Sequence, residues 1–132
     1  MNILILSTFI FILGFFNPLA SYSSHIDLTP CKVSSHCALE KWDVKNIKEP
    51  LLDIQSIIEN NPRTNIVEMD GDYIHAEVES RLLKFIDDLE VTYLEDQNKI
   101  IIRSESRVGD GDFGVNQKRL NLLRNQFFGL DS

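Results

Sequence analysis

Residues 64–106, TNIVEMDGDYIHAEVESRLLKFIDDLEVTYLEDQNKIIIRSES, decide the fold. Across 73–80 apolar and polar residues alternate strictly, with Ile74, Ala76 and Val78 on one side and Tyr73, His75, Glu77 and Glu79 on the other. A period of two marks a half-buried strand. Upstream, a strand over 64–69 runs into Asp70-Gly71, a strong type I′ hairpin signal. With Asp70-Gly71 as the loop, Val67 pairs with Ile74 on one face. A third strand over 85–94 turns through residues 95–98 into a fourth over 99–106. If Glu95 and Asn98 flank that turn, Glu90 lies opposite Arg103 and Thr92 opposite Ile101. Leu89, Val91 and Tyr93 then share a face with Ile100 and Ile102, and Asp88, Glu90, Arg103, Glu105 and Arg107 take the other. One-sided burial of this kind is typical of antiparallel sheets. Asp87 breaks the pattern, because its parity sets a carboxylate on the core side. Either a bulge near 85–88 turns it outward, the preferred reading, or a neighbouring segment such as the glycine loop supplies hydrogen bonds.

Helical periodicity flanks the strands. A first helix is expected over 48–60, with Pro50 in its first turn, Asn60-Asn61-Pro62 stopping it, and Leu51, Ile54, Ile57 and Ile58 on one face. A second starts near Val115 or Asn116, with Asp112 or Gly114 at its cap, and ends at Gly129. Its apolar side is Leu120, Leu123 and Phe127, joined by Val115. The expected fold is an α+β two-layer sandwich of about four antiparallel strands in the order α-β-β-β-β-α. Both helices cover one face and leave the charged face open.

The chain has 132 residues, 43% hydrophobic and 25% charged, which fits one ordinary globular domain. A net charge of −7 argues against a sequence-independent nucleic-acid binder, which would carry a basic stripe. The run at 3–16, ILILSTFIFILGFF, is apolar and uncharged, and Pro18 follows it. It fits the core of a secretory signal, with cleavage after Ala20 or Ser23, and is short for a spanning helix, which needs about 20 residues. Residues 1–23 are thus expected to be a signal peptide or an uncleaved membrane anchor. Both readings put the rest outside the cytoplasm, as a periplasmic, lumenal or membrane-anchored protein. Residues 24–47 read as an extended arm with a cysteine loop, and 48–132 as a single α+β domain. In an oxidising compartment Cys31 and Cys37 can close a ring whose entropy term is roughly 2–2.5 kcal/mol. The alternative is a metal held by the two thiolates with His36 and His25. Structural zinc prefers closer cysteine spacing and four firm ligands, so the disulfide is preferred and no metal or cofactor is expected.

Two regions carry candidate chemistry. The charged sheet face presents His75, Glu77, Asp88, Glu90, Arg103 and Arg107, whose guanidinium forks suit a polar or zwitterionic ligand. The bland alternative is a solvated face of cross-strand ion pairs. The loop from Arg107 to Gly114 holds three glycines and feeds a helix N-terminus, yet lacks the P-loop lysine and the ligands of an EF-hand. It reads first as a structured cap, with Asp112 bonding helix amides and Arg107 pairing with a carboxylate. No nucleophile motif or metal-ligand spacing is present.

Leu28-Thr29-Pro30-Cys31 with Cys37, then IVEMDGDYIHAEVESRLLKFIDDLEV at 66–91, then IIRSESRVGDGDFGVNQKR at 101–119, resemble the small bacterial and plastid proteins of domain of unknown function 1499. Ser35-His36 departs from the Pro-Asn usual there, and Asp110-Gly111 from an aromatic-polar pair. The resemblance implies an exported accessory domain without an assigned activity. It adds Asn116 to the residues of interest, alongside Glu77, Asp88, Arg103, Arg107 and Asp112. The leading expectation is a non-enzymatic protein that binds a partner or small polar ligand through the charged face and glycine loop. The alternatives are a structural module without a ligand, and an acid/base enzyme using the same carboxylates and arginines.

Overall fold

A computed structural model describes residues 28–109 and 111–129. The elements are β1 (Cys37–Asp43), α1 (Pro50–Asn60), β2 (Thr64–Asp70), β3 (Tyr73–Glu79), β4 (Ile86–Leu94), β5 (Lys99–Ser106) and α2 (Val115–Phe128). The strands form one sheet in the order β1-β5-β4-β3-β2, antiparallel throughout. Consecutive strands β2 to β5 are joined by short turns and pair as neighbours. The first strand crosses to the far edge, beside β5. Both helices pack on one face, where Ile54 and Ile58 of α1 and Leu120 and Leu123 of α2 meet Ile74, Leu89, Val91, Ile100 and Ile102. This is the expected two-layer α+β sandwich, with five strands instead of about four.

The extra strand comes from the segment read as an arm. Ala38, Glu40 and Trp42 of β1 alternate toward the helices, and the acid in the middle hides the strand signature. Glu40 is ion-paired there with Arg124 Nη1 at 3.0 Å and accepts hydrogen bonds from Gln117 Nε2 and Trp42 Nε1, each at 2.7 Å. Trp42 then packs on Phe127 and Phe128 with ring centroids 5.5 and 5.9 Å away, fixing the end of α2 to the sheet edge. A disulfide joins Cys31 to Cys37 and ties the start of β1 to the segment before it.

The β4–β5 register is the expected one, with Glu90 opposite Arg103 and Thr92 opposite Ile101. The first hairpin differs. The loop is Gly71-Asp72, so Met69, not Val67, faces Ile74, and a bulge between Ile66 and Glu68 takes Val67 out of register. Gly71 takes φ +55° in the loop, a left-handed conformation that glycine adopts without penalty. Asp87 is also corrected: no bulge turns it outward. It pairs in register with Val78 and Ser106 and stays 5% exposed on the helix side.

The outer face is only partly open. Leu28 lies across it and, with Tyr73 and Ile101, makes a second small core at its β4–β5 turn end. The apolar run at 3–16 and its cleavage positions, together with His25 and Asp110, lie outside the described residues. Among the described residues no helix is long and apolar enough to cross a membrane.

Candidate functional site

The outer face carries six of the predicted site residues in a paired array. Glu77 stands opposite Asp88, and Asp88 opposite Glu105, so three carboxylates run in a row across β3, β4 and β5. Like charges so placed repel. Arg107 counters the first two: Nη2 donates to Glu77 Oε1 at 2.6 Å and Asp88 Oδ1 at 2.7 Å, and Nε to Asp88 Oδ2 at 2.9 Å. His75 Nε2 lies 2.7 Å from Asp88 Oδ1. The Arg107 guanidinium holds Asp88 below the usual carboxylate range against the opposing effect of burial, and His75 adds to the lowering. Further along, Arg103 Nε donates to Glu90 Oε2 at 2.8 Å while Nη1 reaches Glu105 at 3.4 Å and Thr29 Oγ1 at 2.9 Å. Tyr73 donates to Glu90 Oε1 at 2.8 Å. Burial, then that bond and the Glu90 charge, push its phenol well above the ordinary range. Both arginine forks are therefore engaged within the protein.

Asp112 and Asn116 do not join this array. They belong to the opposite, helix-covered side, where they complete a buried polar network. Asp112 Oδ1 accepts from the Gly114 amide at 2.8 Å and Oδ2 from the Asn116 amide at 3.0 Å, closing the start of α2. Burial alone would raise the Asp112 carboxyl, but the Asn116 and Gly114 amides and the Asn116 side chain outweigh it and lower it. Asn116 Nδ2 also reaches Ser106 Oγ and the His36 carbonyl, each at 2.9 Å. Its Oδ1 accepts from Ser104 at 2.6 Å and from Arg119 Nη1 at 2.7 Å. Arg119 Nη2 finally donates to Asp87 Oδ2 at 2.7 Å. The carboxylate that strand parity sets on the core side thus has a guanidinium partner from α2. Arg119 is a residue that sequence reasoning missed as a partner, though it lies one turn after Asn116 on the inward side of the helix.

A concave feature lies beside that network. A cleft of about 740 Å³ opens between α2, the glycine loop, the turn after α1 and the β3–β4 connection at 80–85. Its floor includes Val78, Leu89 and Leu123, extending the core outward. Its rim holds apolar side chains in water: Leu82 is 86% exposed and Phe113 98%, with Leu83, Phe85 and Leu122 also uncovered. Contiguous exposed apolar surface of this kind marks interaction sites. Phe113 additionally adopts φ +53°, next to Gly114 at φ +76°. A bulky residue in that region is strained by roughly 1–3 kcal/mol, a cost that concentrates at functional sites. Of the predicted site residues only Asp112 borders the cleft. The available signal was Leu82-Leu83 between Arg81 and Lys84, an apolar pair inside a connection, together with an aromatic in the glycine loop.

Among the described residues no group of three or more histidine, cysteine or acidic side chains is placed to hold a metal ion. The thiols that a metal would need are joined in the disulfide. The geometry is that of a small disulfide-tied α+β domain with a saturated charged face and an apolar cleft behind it. The chain belongs to the DUF1499 family of proteins of unknown function, whose family model matches residues 21–127. A search of curated proteins found no match.

Proposed function

We propose that this chain is a non-catalytic accessory protein acting outside the cytoplasm, and that it binds an apolar group of another molecule in the cleft between α2 and the 80–85 connection. The observation that carries this reading is the ring of solvent-exposed leucines and phenylalanines around a cleft of about 740 Å³, a size in the range of small-molecule sites. The export part of the proposal is supported by the disulfide, which persists in oxidising compartments, and by the apolar run near the N-terminus. An acid/base role for Glu77, Asp88 or His75 finds less support, because none of these side chains lines the cleft.

A homologous series of 1-alkanols tests the binding reading. Each methylene buried contributes about 0.8 kcal/mol, so affinity should climb about fourfold per added carbon until the cleft is filled. Leu83→Glu with Leu122→Glu should abolish the climb without unfolding the protein, since both side chains reach solvent. An affinity independent of chain length, or unaffected by that double variant, would remove the proposal.

A second reading keeps the charged face as a polar-ligand site, and one observation favours it: the Arg107 side chain, at the junction of that face and the glycine loop, remains 42% exposed. On this reading Arg107→Ala loses binding of a small dicarboxylate while the thermal transition persists. Retained binding, or loss of the folded state, would discard it.

A further inference from the structure

Among the described residues the charges around the cleft mouth are asymmetric. Every acid there that lies among the described residues is already committed. Glu79 pairs with Lys84 at 2.6 Å, Asp87 with Arg119 at 2.7 Å, and Asp112 bonds the first amides of α2. The cations are not. Arg81 and Lys118 border the cleft, both exposed, with no side-chain partner among the described residues. Arg63 spends only Nε, on the Glu79 carbonyl at 3.2 Å. A protein of net charge −7 thus presents uncommitted positive charge at the rim of its apolar cleft. At the floor the position is reversed, because Arg119 directs both terminal nitrogens to Ser104, Asn116 and Asp87. An anionic head therefore belongs at the mouth and an apolar tail inside.

We infer that the cleft holds a single-chain anionic amphiphile with a carboxylate head, a fatty-acid-like molecule, whose head is met by Arg81 and Lys118. The inference rests on the binding reading above and adds the charge of the head. Charge-assisted contacts to a carboxylate are stronger than neutral ones and weaken with salt where exposed. The whole protein as purified is titrated calorimetrically with monomeric dodecanoate, dodecanol and dodecyltrimethylammonium at low salt. Dodecanoate should bind about tenfold more tightly than dodecanol, and the cationic amphiphile more weakly than either. In Arg81→Ser/Lys118→Ser the preference for dodecanoate should fall below about twofold while dodecanol binding is kept. Equal affinities of dodecanoate and dodecanol would overturn the head-group inference and leave the apolar cleft standing. Binding of none of the three would overturn both. Adsorption to anionic vesicles without binding of monomeric dodecanoate would also overturn it, assigning the exposed loops to a membrane surface instead.

Discussion

Asp87 and Arg119 show how a single side chain can be read correctly in position and wrongly in consequence. Strand parity places Asp87 inward, and it is inward. The expected outward bulge does not form because Arg119 arrives from α2, close in space and far in sequence, at 2.7 Å. Alternation within a strand cannot report such a partner. Removing one member of a buried pair leaves an uncompensated charge, so Arg119→Met should cost about 3–5 kcal/mol in a urea denaturation series. Asp87→Leu combined with Arg119→Met should recover most of that loss. Equal destabilisation by the single and double variants would show that the pair is not the cause. Asp112 and Asp88 give a pH prediction. Both carboxyls lie below their ordinary range in the folded protein. Their contribution is therefore complete above the unfolded value, about 3.9, and is lost as pH falls through the lower folded values. Stability should be flat near neutrality and decline below about pH 4. Asp112→Asn, which still offers an oxygen to the helix amides, should reduce the slope of that decline more than the neutral plateau.

At the scale of elements, the segments with clean periodicity were legible and the exceptions have identifiable causes. Residues 99–106 were legible as a strand because three successive isoleucines follow the turn at 95–98, and β5 is Lys99–Ser106. The β4–β5 register followed from turn length alone. β1 was missed because Glu40 occupies a helix-facing register position, with its compensating Arg124 more than eighty residues later. The hairpin loop lies one residue later than expected, and the bulge at Val67 has no signature in the apolar pattern. The N-terminal strand is also held by the Cys31–Cys37 link. Cys31→Ser with Cys37→Ser should lower stability by roughly 2–2.5 kcal/mol, and reductant should then have no further effect. A double variant as stable as the parent protein would mean that the loop is equally ordered without its bond. In the 80–85 connection the exposed leucines carry little packing. Leu82→Ser should therefore change stability by less than about 0.5 kcal/mol in the same assay.

Over the whole molecule, one five-stranded sheet separates two surfaces that the sequence had merged into a single site. Its outer face gathers His75, Glu77, Asp88, Glu90, Arg103 and Arg107 as expected, and spends their charges on one another. On its inner side Asp112 of the glycine loop and Asn116 of α2 enter a buried network that holds the two together and reaches Ser106 of β5. The cleft beside that network was the least legible feature, because it is assembled from the turn after α1, the β3–β4 connection, the glycine loop and α2. No local pattern joins segments so far apart. On the reading proposed above, binding takes place in this cleft and not on the charged face. The most direct test is to collect intermolecular nuclear Overhauser contacts between dodecanol and the protein's methyl groups. With the alkyl chain in the cleft, contacts are expected to Leu83, Leu122 and Leu123. Contacts confined to Leu39, Leu94 and Ile101 on the outer face would contradict it.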